Sequence, residues 1–221
     1  ISVIIISFFF ESKLLLKSAK LAYELILKFK LLILSFNTSF KIFCSIKLIV
    51  IFCIHKLYTM LIKIKKKTLL KFKYYKFKCV LGKNGIKKNK IEGDMATPSG
   101  TYKLGKLYYR ADRIKNIKTK LDKIKIKKNM GWCNSVTDKK YNKEINIIKK
   151  KGFEKLYRKD HKYDAFIVIK YNLPKPVPGK GSAIFIHLTR NYKPTAGCIA
   201  LNIKNFLTLA KFCNKKTSIK I

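Results

Sequence analysis

Acidic residues are scarce in this chain: 11 Asp+Glu stand against 51 Lys+Arg, a formal net charge of +40. Arginine is scarce too. Arg110, Arg113, Arg158 and Arg190 are the only ones, so lysine carries the charge. Selection for phosphate recognition would raise arginine as well, because its planar fork matches phosphate oxygens. The composition therefore argues against a specific nucleic-acid reader, while the charge still draws the chain to polyanions such as nucleic acid, anionic lipid or an anionic wall. The six cysteines lack any Cys-x-x-Cys spacing, which argues against structural zinc. Structural disulfides stay open but are unnecessary in a domain of this size. Nothing in the pattern calls for a metal or a cofactor. No internal repeat is found.

Long uncharged apolar runs are also missing. The longest N-terminal one is about ten residues, Leu31 to Phe40, well short of the roughly 20 needed to span a bilayer. The chain opens on apolar Ile1 to Phe10 without a basic segment before it, so it does not read as a signal peptide. Residues 1–59 contain no proline or glycine and interleave lysines with apolar residues. Three readings of this extension stand: a membrane-surface segment, a degenerate anchor, or upstream translated sequence preceding a start at Met60. The third is preferred. The expected organisation is an extension over 1–59 and a catalytic domain over 60–221.

Beyond Met60 the pattern is mainly β. Met60–Ile64 reads as an opening strand, and Leu70–Leu81 as a half-exposed one. Lys83-Asn84-Gly85 is a turn signal. Thr101–Tyr109, Leu121–Ile126, the apolar run Phe166–Ile169, and Ala183–Leu188 read as further strands. Pro174–Gly181 reads as a loop. Residues 203–213 fit a helix capped by Asn202, with Ile203, Phe206, Leu207 and Ala210 on one face. Ser218–Ile221 reads as a closing strand. The expected fold is a β-rich sandwich or barrel with one or two helices.

The chemistry concentrates near the C-terminus. The apolar run Ala183-Ile184-Phe185-Ile186 delivers His187, and the turn Pro194-Thr195-Ala196-Gly197 delivers Cys198 eleven residues later. A thiol becomes a strong nucleophile as a thiolate, and a histidine is the usual means of making one. Gly197 leaves room for a carbonyl to approach, and amides beside it could stabilise an oxyanion. Most cysteines are inert core residues, and Cys44, Cys53, Cys79, Cys133 and Cys213 lack such a setting. No acid lies near Cys198 in sequence, so a backbone carbonyl is the expected partner for His187.

The order His187, then Thr195-Ala196-Gly197-Cys198 and an apolar residue, resembles the active-site motif of the L,D-transpeptidase (YkuD-type) catalytic domain. Glu92 to Tyr102, containing Asp94, Thr97, Pro98 and Gly100, is similar to that family's Thr-Pro-x-Gly-x-aromatic segment. Gly131-Trp132-Cys133, Tyr141-Asn142, Asp160 to Asp164 and Pro178 to Ser182 add smaller agreements, and the resemblance runs from about residue 60 to 221. It implies a YkuD-like β-rich fold and cysteine acyl transfer on peptidoglycan stem peptides. Cys198 and His187 would be catalytic, Gly197 and Thr195 would form the oxyanion turn, and Arg190, Thr97 and Gly100 are candidates for substrate contact. It also implies the periplasm or cell envelope. The absence of a signal peptide leaves a cytoplasmic location open, and the oligomeric state is unspecified.

This chain departs from the family pattern where Leu188 replaces a common glycine and Ala200 a common arginine. No arginine follows Cys198, which also argues against a sortase-type site, and the His-before-Cys order argues against papain-like and NlpC-type peptidases. An amine acceptor would make the chain a transpeptidase, and water an L,D-carboxypeptidase. The remaining alternative is a non-catalytic basic protein that binds nucleic acid or anionic surfaces.

Overall fold

The computed structural model describes residues 60–65, 68–147 and 152–221, so the readings of residues 1–59 and of a start at Met60 concern sequence outside the described residues. The architecture is mainly β, with one helix among the described residues. The strands are β1 (Leu61–Lys65), β2 (Leu69–Phe72), β3 (Tyr75–Lys78), β4 (Ile86–Lys87), β5 (Thr97–Pro98), β6 (Thr101–Tyr109) and β7 (Lys123–Lys125). They continue with β8 (Met130–Cys133), β9 (Glu144–Asn146), β10 (Phe153–Lys155), β11 (Ala165–Ile169), β12 (Phe185–Leu188), β13 (Ile199–Leu201) and, after helix α1 (Ile203–Phe212), β14 (Ser218–Lys220).

The main sheet runs β13-β12-β11-β6-β14-β1-β2-β3, with β7 paired to β6. Its two ends meet. Val80, just after β3, exchanges both backbone hydrogen bonds with Ala200 of β13, at 3.1 and 2.9 Å. The sheet therefore curls into a nearly closed barrel, which leaves little exposed strand edge. The nine-residue β6 makes this possible by pairing antiparallel with β14 at its start and with β11 further along. A register shift between Ile167 and Ile169 adds the local bend expected of a bulge.

Alternation along the strands gives the sheet two distinct faces. Ile167, Ile169, Ile186, Leu188, Ile199 and Leu201 belong to an aliphatic core with Ile62, Leu70, Phe72 and Leu104. Phe166, Val168, Phe185 and Cys198 belong to a second, aromatic cluster with Tyr108, Trp132 and Tyr163. The small sheet β10-β8-β9 supplies Trp132, which packs edge-on against Phe185 with ring centroids 5.1 Å apart.

Most expected elements stand close to their sequence limits, with three differences. Leu70–Leu81 is a hairpin, β2 and β3, turned at Lys73-Tyr74 with Lys73 at a φ of 54°. Lysine gives no turn signal there, but four cross-strand pairs fix the hairpin. In α1 the buried residues are Phe206, Leu209 and Ala210, whereas Ile203 is exposed. The apolar face is thus rotated from the expected one, because the first turn projects past the core. The three-stranded sheet was not legible as strands, since its segments are only three or four residues long. Asn202 caps α1 as expected, its side chain accepting the Asn205 N–H at 2.8 Å.

Candidate active site

His187 lies on β12 and Cys198 immediately precedes β13. The two strands are parallel, with His187 opposite Ala200. Two residues back along β13 brings Cys198 level with Phe185, and alternation puts His187, Phe185 and Cys198 on the same face. Contacts agree: Tyr163 packs edge-on to His187 at 5.6 Å and to Phe185 at 5.8 Å. The imidazole and the thiol are diagonal neighbours on adjacent strands, roughly 7–8 Å apart at the backbone and within reach of long side chains.

The thiol is held by the histidine strand. Cys198 Sγ accepts the Phe185 N–H at 3.3 Å and donates to the Ala183 carbonyl at 3.1 Å. Burial pushes the thiol up to about 12, as does the charge of Glu154; the Phe185 N–H and the more distant Lys90 oppose this. Burial likewise pushes His187 down to about 4. Both shifts favour the neutral forms, thiol and imidazole. His187 Nδ1 lies 2.9 Å from the Leu188 carbonyl. A carbonyl can only accept, so Nδ1 carries the proton and Nε2 is the basic nitrogen. The expected backbone partner of the histidine is thus Leu188 O.

The turn before Cys198 requires glycine. Gly197 has a φ of 139°, and a Cβ there would stand 2.8 Å from the Ala96 carbonyl oxygen. Thr195 fastens the turn from inside: its hydroxyl donates to the Cys198 carbonyl at 2.6 Å and accepts the Gly197 N–H at 3.1 Å. The Gly197 amide is thus engaged within the turn. Thr195 itself is anchored on the barrel through Leu81 and Lys83.

Thr97 and Gly100, the expected substrate contacts, hold structural positions. Thr97 is fully buried, and its hydroxyl accepts the Gly82 N–H at 2.9 Å, which steadies the segment that holds Thr195. Gly100 exchanges backbone hydrogen bonds with Ile221; its φ is 144°. Asp94 works through Lys90: the lysine is buried, Asp94 is half-buried, and the two pair at 2.6 Å. Asp94 also accepts the N–H groups of Ile91 and Ala96, fixing the backbone that packs on Gly197. Burial opposes ionisation of Asp94, but the bonds from Lys90, Ala96 and Ile91 outweigh it, and its pKa lies below the usual carboxylate value. Arg190 is exposed on the turn after β12 and acts on His161, whose proton affinity burial and Arg190 both lower. Asp164 pairs with Arg113 at 2.7 Å.

Three contributors have roles that sequence reasoning did not assign: Asn142 and Tyr163, which stand there only within family-like segments, and Glu154. Asn142 is buried. Its Oδ1 accepts Trp132 Nε1–H and the Ala183 N–H, while its Nδ2 donates to the carbonyls of Tyr171 and Asn172. It therefore positions the backbone whose next atom, Ala183 O, holds the thiol. Tyr163 packs on His187 and donates its hydroxyl to Glu154 at 2.6 Å. Glu154 is a lone acid after the run Lys149-Lys150-Lys151, a signal visible in the sequence once its place near the thiol is known.

Among the described residues no helix is long and apolar enough to cross a membrane. No curated protein matches the chain. A family profile described as the L,D-transpeptidase catalytic domain, YkuD, matches residues 54–221. Its members are L,D-transpeptidases, acyltransferases typical of the cell envelope that act on peptidoglycan stem peptides. A match over that much of the chain, on a barrel of the corresponding class, assigns the protein to the YkuD family of L,D-transpeptidase catalytic domains.

Proposed function

We propose that residues 60–221 form a cysteine-dependent L,D-transpeptidase that transfers acyl groups of peptidoglycan stem peptides through a thioester on Cys198. The observation that carries this reading is the pairing of β12 with β13. It sets His187 and Cys198 on one face, with Nδ1 of the histidine committed to Leu188 O. That commitment leaves Nε2 as proton carrier.

Because the resting thiol is protonated and bound to Ala183 O, activation accompanies substrate docking. Nε2 takes the thiol proton as sulfur attacks the carbonyl of the L,D bond, and the imidazolium then protonates the departing D-alanine amine. With the Gly197 amide held by Thr195, the Cys198 N–H is the proposed oxyanion donor; a good donor at such a site contributes about 3–4 kcal/mol in the transition state. Gly197 and Thr195 act by shaping the turn. Arg190, exposed beside the histidine strand, is the proposed cation for a substrate carboxylate. An amine acceptor then gives a cross-link or an attached protein, and water gives carboxypeptidase activity. The cell envelope is the proposed location. Incubation with tetrapeptide muropeptides tests the reading: the wild type should release D-alanine, whereas Cys198→Ala and His187→Ala should not. Salt-dependent binding to nucleic acid that survives Cys198→Ala, without any transfer, would favour the basic-binder alternative.

A further inference from the structure

Glu154 sits where a carboxylate opposes the first half of the proposed reaction. β10 and β8 are registered with Glu154 opposite Trp132, so both side chains project from one face of the small sheet. Trp132 packs on Phe185, whose N–H bonds the Cys198 sulfur. Tyr163, which donates its hydroxyl to Glu154, packs edge-on to both His187 and Phe185, so Glu154 lies one side chain away from the histidine strand, and its charge disfavours the thiolate. The side chain is 30% exposed, so a ligand can reach it. Tyr163 O–H fixes one oxygen at 2.6 Å. The nearest described cation, Arg158, is 3.9 Å away and spends its short contact on Asp160 at 2.6 Å. A chain with a net charge of +40 repels a cationic ligand in general. An accessible acid at the nucleophile is thus a local exception to the field of the whole protein.

That exception suits the second half of the reaction, where an acceptor amine arrives as an ammonium ion and must lose a proton before it can attack. We propose that Glu154 is the acceptor-binding residue, receiving the ammonium of the incoming amine beside the Cys198 thioester and taking its first proton. This rests on the acyl-transfer reading above. The balance is as follows. The ammonium gives one proton to the Glu154 carboxylate, which passes it to water. The neutral amine forms the C–N bond at the thioester carbonyl. Its second proton moves to His187 Nε2 and on to sulfur as the C–S bond breaks, restoring the neutral thiol.

The test compares two nucleophiles on one variant. Glu154→Gln preserves shape and an acceptor for Tyr163 O–H. The Cys198 thioester is formed from a tetrapeptide muropeptide at pH 7 and offered Nα-acetyl-lysine methylamide, whose only amine is a side-chain ammonium, or hydroxylamine, which is neutral. Glu154→Gln should lower the aminolysis-to-hydrolysis ratio with the lysine derivative at least tenfold and that with hydroxylamine less than twofold. Equal losses with both nucleophiles, or no loss with either, would overturn the assignment. Failure of the wild type to form any Cys198 adduct would instead overturn the acyl-transfer reading, and this inference with it.

Discussion

Cys213, inside the barrel, and Cys198, on the opposite face of the sheet, are both buried thiols that burial pushes up to about 12. Cys79, also in the barrel interior, shares that shift. Burial alone therefore does not make a nucleophile. Around Cys213 lie the end of α1 and the barrel core, and Thr217 is its polar neighbour. Around Cys198 lie the Phe185 N–H, the Ala183 carbonyl and His187 across the strand pair, and the sulfur feels the charge of Glu154. The barrel interior supplies cohesion. The aromatic face accepts polar groups because each is tied to a particular backbone atom, so that little desolvation goes uncompensated.

The comparison breaks most visibly at the cysteines. Cys198→Ala should cut D-alanine release by more than a factor of about 1,000, since the thiol and its histidine act as one unit. Cys213→Ala should retain turnover while losing about 1–2 kcal/mol of stability, because a well-packed buried atom is deleted. Urea titration alongside the release assay reads both outcomes.

Next in size is the support of the aromatic face. Asn142→Ala removes an amide that makes four hydrogen bonds to three separate segments. It should cost about 3 kcal/mol, or roughly 6–12 °C in the melting temperature of a domain of this size. If the Ala183 carbonyl shifts with it, Cys198 alkylation by iodoacetamide should accelerate as well.

The pH dependence separates the two sets of groups further. His187 has a folded value near 4 against an ordinary value of 6.5. The unfolded chain binds its proton first, so stability falls as pH drops through that window, and His187→Gln should flatten the fall. Asp94 has the opposite chemistry and the same final sign. Its folded pKa lies below the ordinary carboxylate value, so its stabilising effect is present above the unfolded value and is lost as pH falls through the folded one. Asp94→Asn should therefore cost about 1–3 kcal/mol at pH 7, because it removes the charged partner of the buried Lys90, and progressively less below pH 4. Chemical denaturation at several pH values checks both. The smallest effect belongs to Arg190→Ala, expected within about 0.5 kcal/mol of wild-type stability but with a raised KM for stem peptide if the exposed cation meets a carboxylate.

Much of this architecture can be read from residues alone where the signal is local. β6 coincides with Thr101–Tyr109, the fully buried β11 with an apolar run, and the α1 cap with Asn202. The proximity of His187 and Cys198 was legible because a strand, a glycine turn and a second strand follow in order. The remainder depends on partners far away in sequence. Thr97 reads as a rim residue until the Gly82 N–H is seen to need its hydroxyl. Asn142 and Glu154 gain their places only through the registry of a three-stranded sheet with short strands and through contacts with Ala183 and Tyr163. No periodicity encodes such cross-strand relations.

The most direct measurement is intact-protein mass spectrometry after rapid acid quenching of the enzyme with a tetrapeptide muropeptide, followed by peptide mapping. The account predicts an added mass equal to the stem peptide minus D-alanine, located on Cys198 and absent from Cys79, Cys133 and Cys213. Turnover by the Cys198→Ala variant, or an adduct on another cysteine with Cys198 unmodified, would contradict it.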